Sequence, residues 1–165
     1  MIEIEIKPDW VEAAWKKSKA MGRIRHSITK GNGNFAGFLG EEIAKDYLGV
    51  ESENTYDYDL IADGIKYDVK TKRCTSRPST KYDCTIYAYN TKQKCDRYLF
   101  VRIGYVDKSW EELTGKAWIL GYYEKEDFTK DARFLKKGSL DGFNKFKVMD
   151  DCYNMKICNL KQLNA

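Results

Sequence analysis

Histidine is nearly absent from this chain of 165 residues: there is one, His26. That excludes a histidine triad and a histidine-rich zinc site. Cysteine is scarce too. The five cysteines, Cys74, Cys84, Cys95, Cys152 and Cys158, are odd in number and contain no C-x-x-C pair. Neither a disulfide framework nor a zinc knuckle is expected, only reduced, packed thiols. Any metal would be a hard cation held by oxygen. No apolar run approaches the roughly 20 residues that span a bilayer. The opening "MIEIEIKPDW" alternates apolar and charged residues and does not read as a signal peptide, so a cytoplasmic, membrane-free protein is expected. Repeats, low-complexity tracts and linkers are missing as well.

What is present suits one folded domain over residues 1–165. Hydrophobic residues make up 42% and aromatics 14%, too many for a disordered chain. Net charge is only +4, but it is unevenly spread. Residues 41–63 carry eight acids and one base, and residues 66–102 carry ten bases and three acids. An acidic cluster running straight into a basic one suits a metal site beside a surface for polyanions, or two solvated faces that neutralise each other.

"IEIEIK" has period two and reads as a strand. "PDWVEAAWKKSKAMG" opens with proline, carries Trp10, Val11, Ala14 and Trp15, and closes on Gly22, which predicts a helix. "RIRHSITKGNGN" is a polar, basic connection. Asn34 stands as N-cap for a second helix over 35–49, ended by Gly49. Strands are expected at about 56–62, 65–73, 83–89, 97–104 and 116–123. A short helix or turn follows in "KEDFTKDARFLKKG", then two short strands in "KFKVMD" and "CYNMKICNL". The class is α+β, with a mixed central sheet flanked by helices.

The most informative stretch is "YDYDLIADGIKYDVK", residues 56–70. Asp63-Gly64 predicts a two-residue type I′ turn. Ala62 then opposes Ile65, Leu60 opposes Tyr67 and Tyr58 opposes Val69, an apolar core face. On the other face Asp59 opposes Asp68 and Asp57 opposes Lys70. Opposed like charges are destabilising at about 5 Å between Cβ atoms. A divalent cation would offset the Asp59–Asp68 repulsion, since carboxylates are the preferred ligands of Mg²⁺ and Mn²⁺. Lys70, two residues past Asp68, shares its face. Two carboxylates and a lysine on one patch suit phosphodiester hydrolysis. A plain solvated strand face remains the alternative.

"DYDLIADGIKYDVKTKR" resembles the signature of the PD-(D/E)XK nuclease superfamily. Asp59 matches the first acidic position and Asp68-Val69-Lys70 the second motif, while Tyr58 stands where that signature has proline. "GFLGEE" upstream and "CDRYLFVRI" and "AWILGYYEKEDF" downstream are laid out as in small phage-encoded members, so the resemblance covers residues 20 to 130. It implies a restriction-endonuclease-like core and a Mg²⁺- or Mn²⁺-dependent deoxyribonuclease. Asp59, Asp68, Lys70 and Glu41 would be catalytic. Asp59, Asp68 and Val69 would form the metal shell, with an upstream glutamate from the helix. Glu41 and Glu42 are the candidates, and the position right after Gly40 favours Glu41.

Lys72, Arg73, Arg77, Lys81, Lys94 and Arg25 are candidates for phosphate contacts, and Gln93 for a contact near the site. Tyr82 and Tyr87 are candidates for base stacking, or ordinary sheet tyrosines. The expected function is an endonuclease acting on DNA by structure or strand rather than by sequence, since no separate recognition domain is visible. A homodimer fits duplex cleavage. A non-catalytic nucleic-acid-binding module on the same fold is the alternative, and a structural partner protein with an acidic surface hairpin is a third.

Overall fold

The structure is a computed structural model that describes residues 1–21, 32–53 and 55–163. Strand β1 (Ile2–Glu5) turns its isoleucines inward and its glutamates outward. Helix α1 (Pro8–Met21) starts on proline, with Asp9 in its first turn and Lys19 in its last, each opposite in sign to the helix-dipole end it sits beside. It buries Trp10 and Ala14. Gly22 and the basic loop with Arg25 lie outside the described residues.

Helix α2 (Asn32–Leu48) begins earlier than expected, so Asn34 lies within its first turn. Its end is as expected. Gly49 adopts φ 67°, the Gly49 N–H donates to Asp46 O at 3.2 Å and the Val50 N–H to Lys45 O at 3.1 Å. This pair of bonds is a Schellman cap, which satisfies the last carbonyls of the helix. Strands β2 (Leu60–Ala62) and β3 (Ile65–Cys74) form the expected hairpin, with Leu60 opposite Tyr67 and Ala62 opposite Ile65. Asp63 and Gly64 both have positive φ, 51° and 77°, as a type I′ turn requires.

The expected strand over 56–62 is cut to three residues. Thr55 Oγ1 accepts the Tyr58 N–H at 3.0 Å and donates to Tyr58 O at 2.6 Å, and this local turn competes with the ladder. Tyr58–Val69 and Asp57–Lys70 are therefore not ladder pairs.

β5 (Arg97–Tyr105) pairs in parallel with β3, and β6 (Leu113–Glu124) pairs antiparallel with β5 and β1. The main sheet thus runs β1-β6-β5-β3-β2. On one face α1 and α2 bury Leu39, Ile43, Leu60, Leu99, Val101 and Ile103. Each large aliphatic chain so buried contributes about 1.5–3 kcal/mol. The other face packs Tyr98, Phe100 and Leu120 against helix α3 (Lys125–Asp131) and a second sheet.

That second sheet corrects the expectation that 83–89 joins the centre. β4 (Asp83–Tyr87) pairs with β10 (Cys152–Lys156), which also pairs with β7 (Arg133–Leu135). A tight turn over Ala88–Lys92 follows β4. A two-residue pair, β8 (Leu140–Asp141) and β9 (Phe146–Lys147), completes the fold. The protein is α+β, with a mixed sheet covered by α1 and α2 on one side and by the second sheet and α3 on the other. All five thiols are free, four of them buried. No helix among the described residues is long and apolar enough to cross a membrane.

Candidate active site

Because β2 ends at Ala62 and begins only at Leu60, β3 has a strand partner on one side alone from Asp68 onward among the described residues. Asp59 sits where that ladder stops. Its backbone N–H still donates to Tyr67 O at 2.9 Å, and its Oδ2 accepts the Val69 N–H at 2.7 Å. The carboxylate thus replaces the missing strand and is fixed beside Asp68. Val69 buries its side chain in the core and offers the site only its backbone.

Asp68 is buried, and Lys70 Nζ lies 2.7 Å from its Oδ2 as an ion pair. Lys70 also donates to Gln93 Oε1 at 3.0 Å, and Gln93 Nε2 donates to Tyr56 O at 3.1 Å. The turn carrying Gln93 is held down as well, since the Lys94 N–H donates to Asp57 Oδ1 at 3.2 Å. The structure therefore brings Asp59, Asp68, Lys70 and Gln93 together, while Lys94 takes part through its backbone.

The two helix glutamates divide. Glu42 is buried and lies 2.8 Å from Lys17 and 3.7 Å from Lys45. It ties α2 to α1. Glu41 instead feels Asp59 and, more weakly, Asp68. Gly40 sets this placement. A Cβ there would collide with Oγ1 of Thr71 on β3, so only glycine lets α2 dock this closely, one residue before Glu41.

Three acids in this corner resist ionisation. Burial, then the charge of Asp59, pushes the Glu41 carboxyl up to about 8, against the pull of Lys17. Burial, then the charge of Asp68, pushes Asp59 up to about 6, opposed by the Val69 N–H and Lys70. Burial likewise raises Asp68, with Lys70 opposing. The field extends to Cys95, whose thiol burial and then Asp68 push up to about 12. Two carboxyls this close favour sharing a proton or binding a cation.

The donor set fits a hard divalent ion. Asp59 and Asp68 present carboxylate oxygens that share a single lysine and one backbone N–H. Mg²⁺ typically takes one or two carboxylates and completes its shell with water and substrate oxygens. Among the described residues no group of three or more His, Cys, Asp or Glu side chains is positioned to hold an ion. Glu41 stands near the pair without closing such a cage.

From Lys70 a cleft of about 390 Å³ runs along the open edge of β3. Its walls include Lys72, Arg73, Arg102 and Trp110. Lys72 is exposed to this crevice, yet surrounding protein and then Arg102 lower its pKa. The two residues are register neighbours across β3 and β5. Arg73 packs over Trp110 at 4.6 Å. Tyr87 lines the cleft, and Tyr82 lies under Arg102 at 5.5 Å.

Arg77 and Lys81 are not brought there. Arg77 stands 3.9 Å from Glu3 in a separate surface hollow, and Lys81 is exposed in the loop before β4. Arg25 lies outside the described residues. Arg102 is the cleft residue that sequence reading passed over. Its signal was a lone charge inside the apolar run "YLFVRIGYV". It is buried, donates to Asp83 O at 3.0 Å and leaves Nε unpartnered. No protein-family model and no curated protein sequence matches the chain.

Proposed function

We propose that this chain is a Mg²⁺- or Mn²⁺-dependent nuclease that hydrolyses DNA phosphodiester bonds. The reading includes a restriction-endonuclease-like core and endonucleolytic cutting directed by structure or strand rather than by sequence. It rests above all on one observation: half-buried Asp59 and buried Asp68 lie beside Lys70, whose side chain lines a basic cleft. A divalent cation, when bound, polarises the phosphate and lowers the pKa of its water.

The chain's own residues do the rest. Asp59, oriented by the Val69 N–H, and Asp68 hold the cation. Glu41, once deprotonated, would be the helix residue to supply a further oxygen ligand. Lys70, steadied by Gln93, donates to a phosphate oxygen and stabilises the charge that grows on it. Lys72 and Arg102 hold the neighbouring phosphates without reading bases. Cutting both strands of a duplex would take two copies of the chain.

One observation favours a second reading, a nucleic-acid-binding module without turnover. Lys70 already neutralises Asp68 at 2.7 Å, and no three-ligand cage is formed among the described residues. Supercoiled plasmid incubated with Mg²⁺, with Mn²⁺ and with EDTA separates the two. Cleavage only with metal is expected. A gel shift without cleavage under any condition assigns the module, and the absence of both removes both readings.

A further inference from the structure

Phe146 of the β8–β9 hairpin also lines the cleft, with Val148 and Met149 just beyond it, and the catalytic reading leaves this segment unused. The stretch 133–147 carries five bases and one acid. Interleaved with them are large apolar side chains left in solvent. Leu140 is 72% exposed, Phe143 70%, Phe146 45% and Met149 65%. Large exposed apolar side chains gathered in so short a stretch suit a contact surface.

The hairpin is stiff despite its two-residue strands. Arg133 Nη2 donates to Asp83 Oδ2 and to Asp141 Oδ2, each at 3.1 Å. Asn144 Nδ2 reaches the same two oxygens at 2.8 and 2.5 Å, and Asp141 Oδ1 accepts the Phe143 N–H at 3.0 Å. Gly138 and Ser139 pair with Val148 through backbone bonds of 2.8 and 2.9 Å. The Arg133 guanidinium lies 4.3 Å and Lys156 Nζ 5.5 Å from the Phe143 ring centre, and the side chain stays mostly exposed.

Phe146 and Met149 line the same cleft as Lys70 and Lys72. An occupant of that cleft meets cations on one wall and apolar side chains on the other. A polynucleotide has both matching parts, phosphates and base faces. A bilayer surface cannot enter a cleft, and Lys145 and Lys147 beside the rings disfavour an apolar protein face.

We propose that the β8–β9 hairpin is a base-stacking platform for unpaired nucleotides, with Phe143 and Phe146 as the stacking rings. The preferred substrate is then a DNA with a single-stranded segment next to a duplex, because paired bases offer no free face. This rests on the nuclease reading only for what happens after binding.

The test is fluorescence anisotropy in EDTA, using a blunt duplex and the same duplex with a single-stranded tail carrying 2-aminopurine. The wild-type chain is expected to bind the tailed DNA more tightly and to change 2-aminopurine emission. Phe143→Ala and Phe146→Ala should each weaken tailed-DNA binding about tenfold, as about 1.4 kcal/mol of lost stacking gives. Blunt-duplex affinity should barely move. Phe143→Leu, which keeps apolar bulk, should behave like Phe143→Ala, and all variants should melt with the wild type.

Equal losses on both DNAs would overturn the platform, as would no binding of either. Loss of binding to phosphatidylserine vesicles with DNA binding intact would overturn it in favour of a lipid surface. If tailed-DNA binding falls as expected but no metal supports cleavage, the platform stands and the nuclease reading fails.

Discussion

Two carboxylate pairs in this small protein have opposite fates. Asp83 and Asp141 share Arg133 and Asn144, and Asn154 Nδ2 adds a bond to Asp83 at 3.3 Å. Burial alone would raise Asp141, but Asn144, the Phe143 N–H and Arg133 outweigh it and hold the carboxyl below the usual range. Asp59 and Asp68 have Lys70 and one backbone N–H between them, and both are raised. The first pair is finished by the protein. The second has one lysine for two carboxyls, a shortage of positive charge that a bound cation or a proton makes up. Satisfied acids hold a fold together, and unsatisfied ones point to what the fold binds.

The sharpest way to break this comparison is to neutralise one acid of each pair. Asp68→Asn should lower metal-dependent DNA cleavage by on the order of 10³-fold or more, with the melting temperature in EDTA unchanged or raised. DNA binding should persist or tighten, since a charge that repels phosphate is gone. Full cleavage by this variant in a plasmid assay would remove Asp68 from the site. Asp141→Ala should do the reverse. It takes from Arg133 and Asn144 one of their two carboxylate acceptors, leaves the Phe143 N–H without its acceptor, and should cost about 1–3 kcal/mol in urea unfolding. Per folded molecule, cleavage of blunt duplex should survive. A stability loss for Asp68→Asn equal to that for Asp141→Ala would show that the two pairs do the same job.

Metal and pH sharpen the contrast further. A cation that binds only the folded chain adds about 2.7 kcal/mol at a hundredfold excess over Kd. Melting with millimolar Mn²⁺ should therefore exceed melting with EDTA, and the gain should vanish in Asp59→Asn.

Without metal the signs differ between the pairs. Glu41 rises from 4.5 to about 8 and Asp59 from 3.8 to about 6, so the folded state binds more protons than the unfolded state between those values. Stability in EDTA should fall as pH climbs from about 4 to about 8. Asp141 contributes stability above its unfolded value of 3.8, which is lost as pH falls through its depressed folded value. Urea midpoints across this range in EDTA should slope downward, and Mn²⁺ should flatten the slope. A midpoint that rises with pH would show that the acids near Asp59 are not held protonated.

The Asp59 corner was legible because it is local. Asp63-Gly64 fixes the turn, the turn fixes the register, and the register puts Asp59 by Asp68 within ten residues of chain. Gln93 was legible as a neighbour of the site, though not as the partner that steadies Lys70. The Asp83–Asp141 pair was not legible. Its members are far apart in sequence and meet only because β4 leaves the main sheet for β10. Period two identifies β4 as a strand, but alternation does not say which strand it joins. Arg77 and Lys81 followed Lys72 in a basic run. β3 ends at Cys74, however, and the chain then carries them away from the cleft. Linear proximity held while the strand lasted and failed once it stopped.

The smallest expected effect tests that last distinction. Each phosphate neutralised on a duplex changes the log–log salt slope of binding by about 0.9, because counterions are released. Lys72 stands in the cleft beside Arg102, where burial by surrounding protein and then repulsion from Arg102 lower its pKa. A phosphate between them would relieve that repulsion. Arg77 faces Glu3 at 3.9 Å on another surface. Lys72→Ala and Arg73→Ala should therefore flatten the slope by about one unit each, alike for unrelated DNA sequences, while Arg77→Ala and Lys81→Ala leave it unchanged. Isotherms at several salt concentrations, with EDTA to prevent cutting, give the slopes. A flattened slope for Arg77→Ala would put the DNA path across the Glu3 surface instead. A loss in Lys72→Ala confined to one sequence would mean that Lys72 reads a base edge and that cutting is sequence-directed after all.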